Sequence, residues 1–321
     1  MSAPVLAARD LRVHYHTKQG PVRAVDGVTF ALFEGETIGI VGETGCGKST
    51  LGKAVLGLLP PRTYTAGSLQ LRGRELLHIP ASEYRRLRGG ELALIFQDPM
   101  TRLDPLMTIR QHFLETLKAH DRNVSRDESS NRTTEILRSM GIPESRLDDY
   151  PHEFSGGMRQ RIMIAMAVVL RPKVLVADEP TTSLDVIVEA QILGILRDLR
   201  RAYSMSMLLI THNLGIVAEV CDRAAVMYAG KLVELGPVDG VFRRPIHPYA
   251  QGLLASTISL QTKALHSIDG MPPSLLDPPS GCHFHPRCPH VKEVCLREAP
   301  PMIEFRPGHF AACHFGKDFC D

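Results

Sequence analysis

The sequence predicts an α/β protein built on a P-loop core sheet. An N-terminal antiparallel β region, a helical subdomain and a small Pro- and Cys-rich C-terminal domain complete it. Three observations carry that expectation. A phosphate-loop motif, G-x-x-x-x-G-K-[ST], sits between an apolar strand and a helical run. Four short apolar runs, residues 37–41, 92–96, 174–177 and 207–210, read as buried strands, and each ends at a polar residue suited to chemistry. Twelve of the 23 prolines fall after residue 236 and five of the seven cysteines lie in the last 40 residues, so the composition changes there.

The 321 residues suffice for a sizeable core and for two compact units. Lys and Arg total 37 against 35 Asp and Glu, a net charge of +2. That balance argues against a protein living on nucleic-acid phosphate contacts. No apolar run approaches the roughly 20 residues of a spanning helix, so no integral membrane protein is expected. The N-terminus, MSAPVLAARDLRVHYH, lacks a basic segment followed by a long apolar one, so secretion is not expected. In a reducing compartment, clustered cysteines bind metal more often than they form disulfides.

The elements follow in order. Alternating apolar runs at 5–15, 22–33 and 68–71 predict antiparallel strands. Residues 37–41 form the first buried strand and residues 50–59 a helix. Residues from about 100 to 170 predict a helical subdomain, with a polar exposed loop at 121–132. The remaining buried runs return the chain to the core sheet. The main domain is therefore expected to span 1–236 and an appended C-terminal domain 237–321.

The loop between the first strand and its helix is Gly42-Glu43-Thr44-Gly45-Cys46-Gly47-Lys48-Ser49. Its glycines let successive N–H groups point at phosphate oxygens, and the helix N-terminus adds partial positive charge. Lys48 reaches the β- and γ-phosphates, and the Ser49 hydroxyl ligates Mg²⁺. Gly42, Thr44, Gly45, Cys46, Gly47 and Thr50 complete the expected nucleotide contacts. The third buried run ends in Asp178-Glu179. Two acids in that position ordinarily cap a helix or face solvent. Beside a P-loop, Asp178 reads as a Mg²⁺ ligand through water and Glu179 as the group that polarises the attacking water.

Ser155-Gly156-Gly157-Met158-Arg159-Gln160-Arg161 resembles the signature motif of ATP-binding cassette (ABC) ATPases. The resemblance implies a P-loop, RecA-like core. It also implies that Ser155, Gly156 and Gly157 contact the γ-phosphate held by a partner's P-loop, so a second ABC ATPase subunit is required. By the same resemblance Gln97 is the Q-loop glutamine that senses Mg²⁺. Asp185, in Ser183-Leu184-Asp185, belongs to the D-loop, and His212 is the switch histidine that orients Glu179. Tyr15 is the aromatic that stacks on adenine, although such a residue is often cross-strand packing. The sequence departs from the usual motif at Phe154 and Met158, where Leu and Gln are usual, and at Asn213, where Asp is usual. None of these removes a catalytic group.

A narrower resemblance rests on Phe96-Gln97-Asp98-Pro99-Met100-Thr101-Arg102-Leu103-Asp104-Pro105, on His247-Pro248-Tyr249 and on the tail. The tail reads Gly281-Cys282-His283-Phe284-His285-Pro286-Arg287-Cys288-Pro289, then Cys295, His309 and Cys313-His314. These stretches resemble the oligopeptide and dipeptide importer ATPases over nearly the full chain. The resemblance implies a peripheral subunit at the cytoplasmic face of the membrane, with two transmembrane permease subunits and an extracytoplasmic substrate-binding protein as partners. Related importers carry other cargo, such as nickel chelates and glutathione. Soluble ABC proteins acting on nucleic acid usually hold two cassettes or long coiled coils, and neither is present. Cys282, Cys288, Cys295 and Cys313 supply four thiolates without the close C-x2-4-C pair usual in structural zinc sites. Four widely spaced thiolates suit a [4Fe–4S] cluster, which members of this branch carry; zinc and free thiols are the alternatives. His283, His285 and His290 read as surface or supporting groups. Cys46 and Cys221 read as ordinary small residues, and Cys320 as a spare thiol on a frayed terminus.

Overall fold

The computed structural model describes residues 3–96, 102–182, 184–256 and 267–320. The chain divides into two compact units, Met1–His78 with Leu208–Asp321, and Ile79–Met207.

In the first unit, β1 (Leu6–Thr17) and β2 (Gly20–Leu32) form a hairpin closed at the Thr17 and Gly20 pair. β4 (Tyr64–Leu71) pairs antiparallel with the other edge of β1, and β5 (Arg74–Glu75) follows it, giving the order β2-β1-β4-β5. β3 (Thr37–Val41) is buried along its whole length and pairs in parallel with β9 (Arg223–Tyr228). β10 (Lys231–Pro237) then pairs antiparallel with β9, β12 (His309–Ala311) with β10, and β11 (Ile303–Arg306) with β12. Three helices of this unit matter to the site: α1 (Lys48–Val55), α7 (Leu214–Val220) and α9 (Pro248–Ala255).

One apolar cluster joins these elements to the C-terminal tail. Val41, Val217, Tyr228, Val233, Tyr249 and Phe284 are all buried in it. Glu234, on β10, has no exposed surface, and its carboxylate accepts the backbone N–H groups of Ile246 and His247. His309 Nε2 lies 2.7 Å from the same carboxylate. A buried carboxylate is tolerable only when hydrogen-bonded in this way. The compositional change at residue 236 thus falls inside the first unit, within β10.

The second unit holds the parallel pair β6 (Leu92–Ile95) and β7 (Val174–Asp178). Around them lie α3 (Ile109–Lys118), α4 (Arg126–Ser139), α5 (Gly156–Val168) and α6 (Val186–Tyr203). β8 (Ser206–Ile210) leads the chain back toward the first unit. The helical subdomain expected near 100–170 is present. The exposed loop expected at 121–132 is corrected: residues 126–132 are the first turns of α4. Ser125 caps that helix by accepting the Glu128 N–H (3.1 Å), and Asp127 and Glu128 occupy its electropositive first turn. Among residues 126–132 only Ser129 is buried, which is why the stretch reads as a loop. Among the described residues, no helix is long and apolar enough to cross a membrane.

Candidate functional site

The phosphate loop leaves the end of β3 and enters α1. Gly42 (φ +152°) and Gly47 (φ +111°) both sit where L side chains are disfavoured. A Cβ on Gly42 would fall 2.1 Å from the Met227 carbonyl oxygen, and one on Gly47 1.9 Å from that of Ala24. Only glycine fits either position. The loop is anchored by the Gly230 N–H, which donates to the Cys46 carbonyl (2.9 Å). Lys48 is buried, and its Nζ donates to the carbonyls of Gly42 (2.6 Å) and Glu43 (3.0 Å). Thr44 and Gly45 are exposed at the loop tip; Ser49 and Thr50 are half-buried at the start of α1. Cys46 is buried, and burial pushes its thiol pKa up. Tyr15, half-buried on β1, donates its hydroxyl to Thr50 Oγ1 (3.1 Å), so it stands beside the helix that the loop opens. The Thr211 N–H donates to the Ile40 carbonyl in β3 (3.2 Å), placing His212 just past the strand that feeds the loop. Asn213 caps α7 by accepting from Gly215 N–H (3.0 Å) and Ile216 N–H (3.4 Å). Asn serves that role as well as the usual Asp.

The second unit carries its own group of expected residues. Asp178 is buried at the end of β7. Glu179 follows with φ +49°, and its Oε2 accepts the Thr182 hydroxyl (2.7 Å). Ser155 caps α5 by accepting the Met158 N–H (3.4 Å), and Gly156 and Gly157 form the first turn. Met158 therefore contributes its backbone at that contact. A Cβ on Gly157 would lie 2.8 Å from Val188 Cγ1. Phe154 is buried, with the Arg146 guanidinium 4.4 Å from its ring centre, so the bulkier side chain has a packed place. Asp185 caps α6 by accepting the Val188 N–H (2.9 Å). Gln97 and Ser183 lie outside the described residues.

Three residues that the sequence singles out only as members of motifs make contacts at these sites that it does not reveal. Gln160, buried on α5, donates to the Pro180 carbonyl, directly after Glu179. Tyr249, buried on α9, accepts the Glu43 N–H at its hydroxyl (3.0 Å). Arg287 grips the Glu43 carboxylate at 2.8 and 3.1 Å. The last two reach the loop from 206 and 244 residues away, so no local spacing reveals them.

In the tail, Cys282, Cys288, Cys295 and Cys313 are free thiols that line one small cavity with Phe284, His247 and Phe315. Burial, and then the neighbouring cysteines, raise the Cys282 and Cys288 thiols, and Cys313 to about 11. The donor set suits a metal that takes four thiolates. As placed, no trio of His, Cys, Asp or Glu among the described residues closes to metal-binding geometry. The histidines have other contacts. His283 Nδ1 lies 2.8 Å from the Ala229 carbonyl, His285 Nδ1 lies 3.0 Å from that of Cys282, and the His290 ring packs on Phe319. His283 is buried rather than at the surface. Cys320 is likewise not frayed: its carbonyl accepts from Arg306 and its thiol donates to Gly316.

The P-loop, the Ser-Gly-Gly helix cap and the strand ending in Asp-Glu define the class, an ATP-binding cassette protein. The ABC transporter family matches residues 25–182, and the family described as "Oligopeptide/dipeptide transporter, C-terminal region" matches residues 233–295. The chain belongs to the ABC transporter ATPases, in the branch of the oligopeptide and dipeptide transport ATP-binding proteins. It is 46% identical over 313 residues to the oligopeptide transport ATP-binding protein OppD of Escherichia coli, covering 96% of this chain and 92% of that one. It is 45% identical over 315 residues to the dipeptide transport ATP-binding protein DppD of Bacillus subtilis, covering 96% and 94%. Among solved structures, cbiO1 of Clostridium perfringens, part of the ABC transporter complex cbiONQ, superposes with a TM-score of 0.65 at 27% identity, covering 75% of this chain and 92% of that one. The bacterial ABC transporter cassette MJ0796 shares the fold, with a TM-score of 0.65 at 24% identity over 73% and 98% of the two chains.

Proposed function

We propose that the chain is the ATP-hydrolysing peripheral subunit that drives uptake of di- or oligopeptides through an ABC importer. The observation that carries this reading is the 46% identity over 313 residues to an oligopeptide transport ATP-binding protein, a span that takes in loop, signature and tail. Residues 1–236 are the nucleotide-binding domain and 237–321 the transporter-specific region. The loop N–H groups and the start of α1 receive the phosphates of ATP, with Lys48 at the β- and γ-phosphates and Tyr15 against the adenine. Ser49, Asp178 and Gln97 would hold Mg²⁺, which neutralises charge developing on the phosphates. Glu179 accepts the proton of the attacking water, and His212 orients Glu179 at the γ-phosphate. Ser155, Gly156, Gly157 and Asp185 act on the nucleotide of a second ABC ATPase subunit. Two transmembrane permease subunits and an extracytoplasmic substrate-binding protein complete the machine. The chain works at the cytoplasmic face of the membrane and needs no nucleic acid.

Cys282, Cys288, Cys295 and Cys313 are proposed to hold a [4Fe–4S] cluster; their sharing one cavity supports this. Such a group cross-links a segment with little apolar core of its own. Analysis of protein purified without oxygen tests it. Near four iron and four sulfide per chain is expected, and zinc without sulfide would make the tail a zinc module instead.

Two variants test the ATPase site. Lys48→Ala is expected to abolish ATP binding. Glu179→Gln is expected to keep binding and lower hydrolysis at least ~100-fold. Near-normal turnover in the Gln variant would remove Glu179 as the base.

A further inference from the structure

We propose that Arg287 is a positioning residue for the phosphate loop: from the C-terminal tail it neutralises Glu43 and fixes the loop's first turn. The inference rests on residues 42–49 being the site of ATP's phosphates. Glu43 is the second residue of a loop whose N–H groups must hold several negative charges. A bare carboxylate there would repel the nucleotide.

The pair is a fork-to-fork contact, with Nη1 2.8 Å from Oε2 and Nη2 3.1 Å from Oε1. The Arg287 side chain is 5% exposed and that of Glu43 25%, so water and salt screen the pair weakly. Arg287 is itself held. Its Nε donates to the Asp269 carbonyl (2.9 Å), its Nη2 to the Ile268 carbonyl (3.2 Å) and its Nη1 to the Tyr228 hydroxyl (3.4 Å). Burial alone would lower its pKa, but the hydrogen bonds to Glu43 and Tyr228 raise it above the usual arginine value.

Glu43 is therefore gripped at three points. Arg287 takes its carboxylate, the Tyr249 hydroxyl takes its N–H, and Lys48 donates to its carbonyl. Released from Arg287, the carboxylate is free to turn toward the phosphates and compete for Lys48, the cation that ATP needs. Arg287 thus acts on ATP through Glu43 and touches no reacting atom.

The test measures Mg-ATP binding by calorimetry, together with KM and kcat, on the full chain at low and high salt. Arg287→Ala is expected to weaken ATP binding and raise KM about tenfold, with kcat changed less than about twofold. Adding Glu43→Gln to that variant is expected to restore affinity, and the Ala deficit should shrink as salt rises. Wild-type affinity in Arg287→Ala, or a double variant as weak as the single one, would overturn the proposal. If the Ala variant does not fold, Arg287→Lys replaces it. A loss of about threefold, removed by Glu43→Gln, is expected there, and an affinity unmoved by Gln would overturn the idea. Lys48→Ala is the control: ATP binding that survives it would sink the phosphate-loop reading itself, a result distinct from any Arg287 outcome.

Discussion

Glu179 carries its carboxylate on a backbone at φ +49°, a region that costs a non-glycine residue about 1–3 kcal/mol. Such strain persists where surroundings hold it, and here Thr182 bonds the carboxylate and Gln160 the next carbonyl. Glu179 is legible in sequence because it ends an apolar strand behind a P-loop. The contacts of Gln160 and Tyr249 are not, although both residues lie in motifs the sequence singles out, because each is a single hydrogen bond to a backbone group elsewhere in the chain. His247 offers a test at the same scale. It is fully buried, its Nδ1 accepts the Tyr249 N–H, and burial pushes its pKa to about 3. The fold therefore keeps His247 neutral, while the unfolded chain protonates it near its ordinary value. Its stabilisation is complete above about pH 6.5 and is lost as pH falls toward 3, at up to about 1.4 kcal/mol per pH unit. Urea unfolding is expected to show stability falling from pH 7 to pH 5. His247→Asn, which keeps a cap acceptor, should make that fall shallower, and an unchanged slope would contradict the assignment.

At the scale of elements, the buried strands were legible because burial on both faces leaves an unbroken apolar run. Residues 37–41 coincide with β3, and the other three runs match β6, β7 and β8 to within a residue at each end. The start of α4 was not, because the helix's buried residues Ser129, Thr133, Ile136 and Leu137 begin with two polar ones, and the turn before them faces solvent. β11 and β12 are four and three residues long, too short to show alternation, and they exist by pairing onto β10. The cap of α7 gives a direct check. Asn213→Ala should cost about 1 kcal/mol in urea unfolding, and Asn213→Asp close to nothing. Equal losses in both would mean that Asn213 is not acting as the cap. The loop itself is less forgiving: Gly47→Ala drives a Cβ into the Ala24 carbonyl and is expected to abolish ATP binding in a calorimetric titration.

For the whole molecule, composition and packing draw different lines. Proline and cysteine change at residue 236, yet the first unit folds residues 208–321 together with residues 1–78. Tyr249 and Phe284 from the tail share one apolar cluster with Val41 and Tyr228. A chain ended after residue 236 is thus expected to aggregate or to lose ATP binding. A stable fragment that binds ATP normally would show that the tail is not part of that core. ATP hydrolysis by this chain is proposed to move peptides. Uptake of a labelled peptide into membrane vesicles holding the assembled transporter, with ATP on the side of this subunit, measures it most directly. ATP-dependent accumulation is expected, and Glu179→Gln is expected to abolish it while the complex stays assembled. Accumulation that persists in the Gln complex, or a wild-type complex that hydrolyses ATP and moves no peptide, would contradict it.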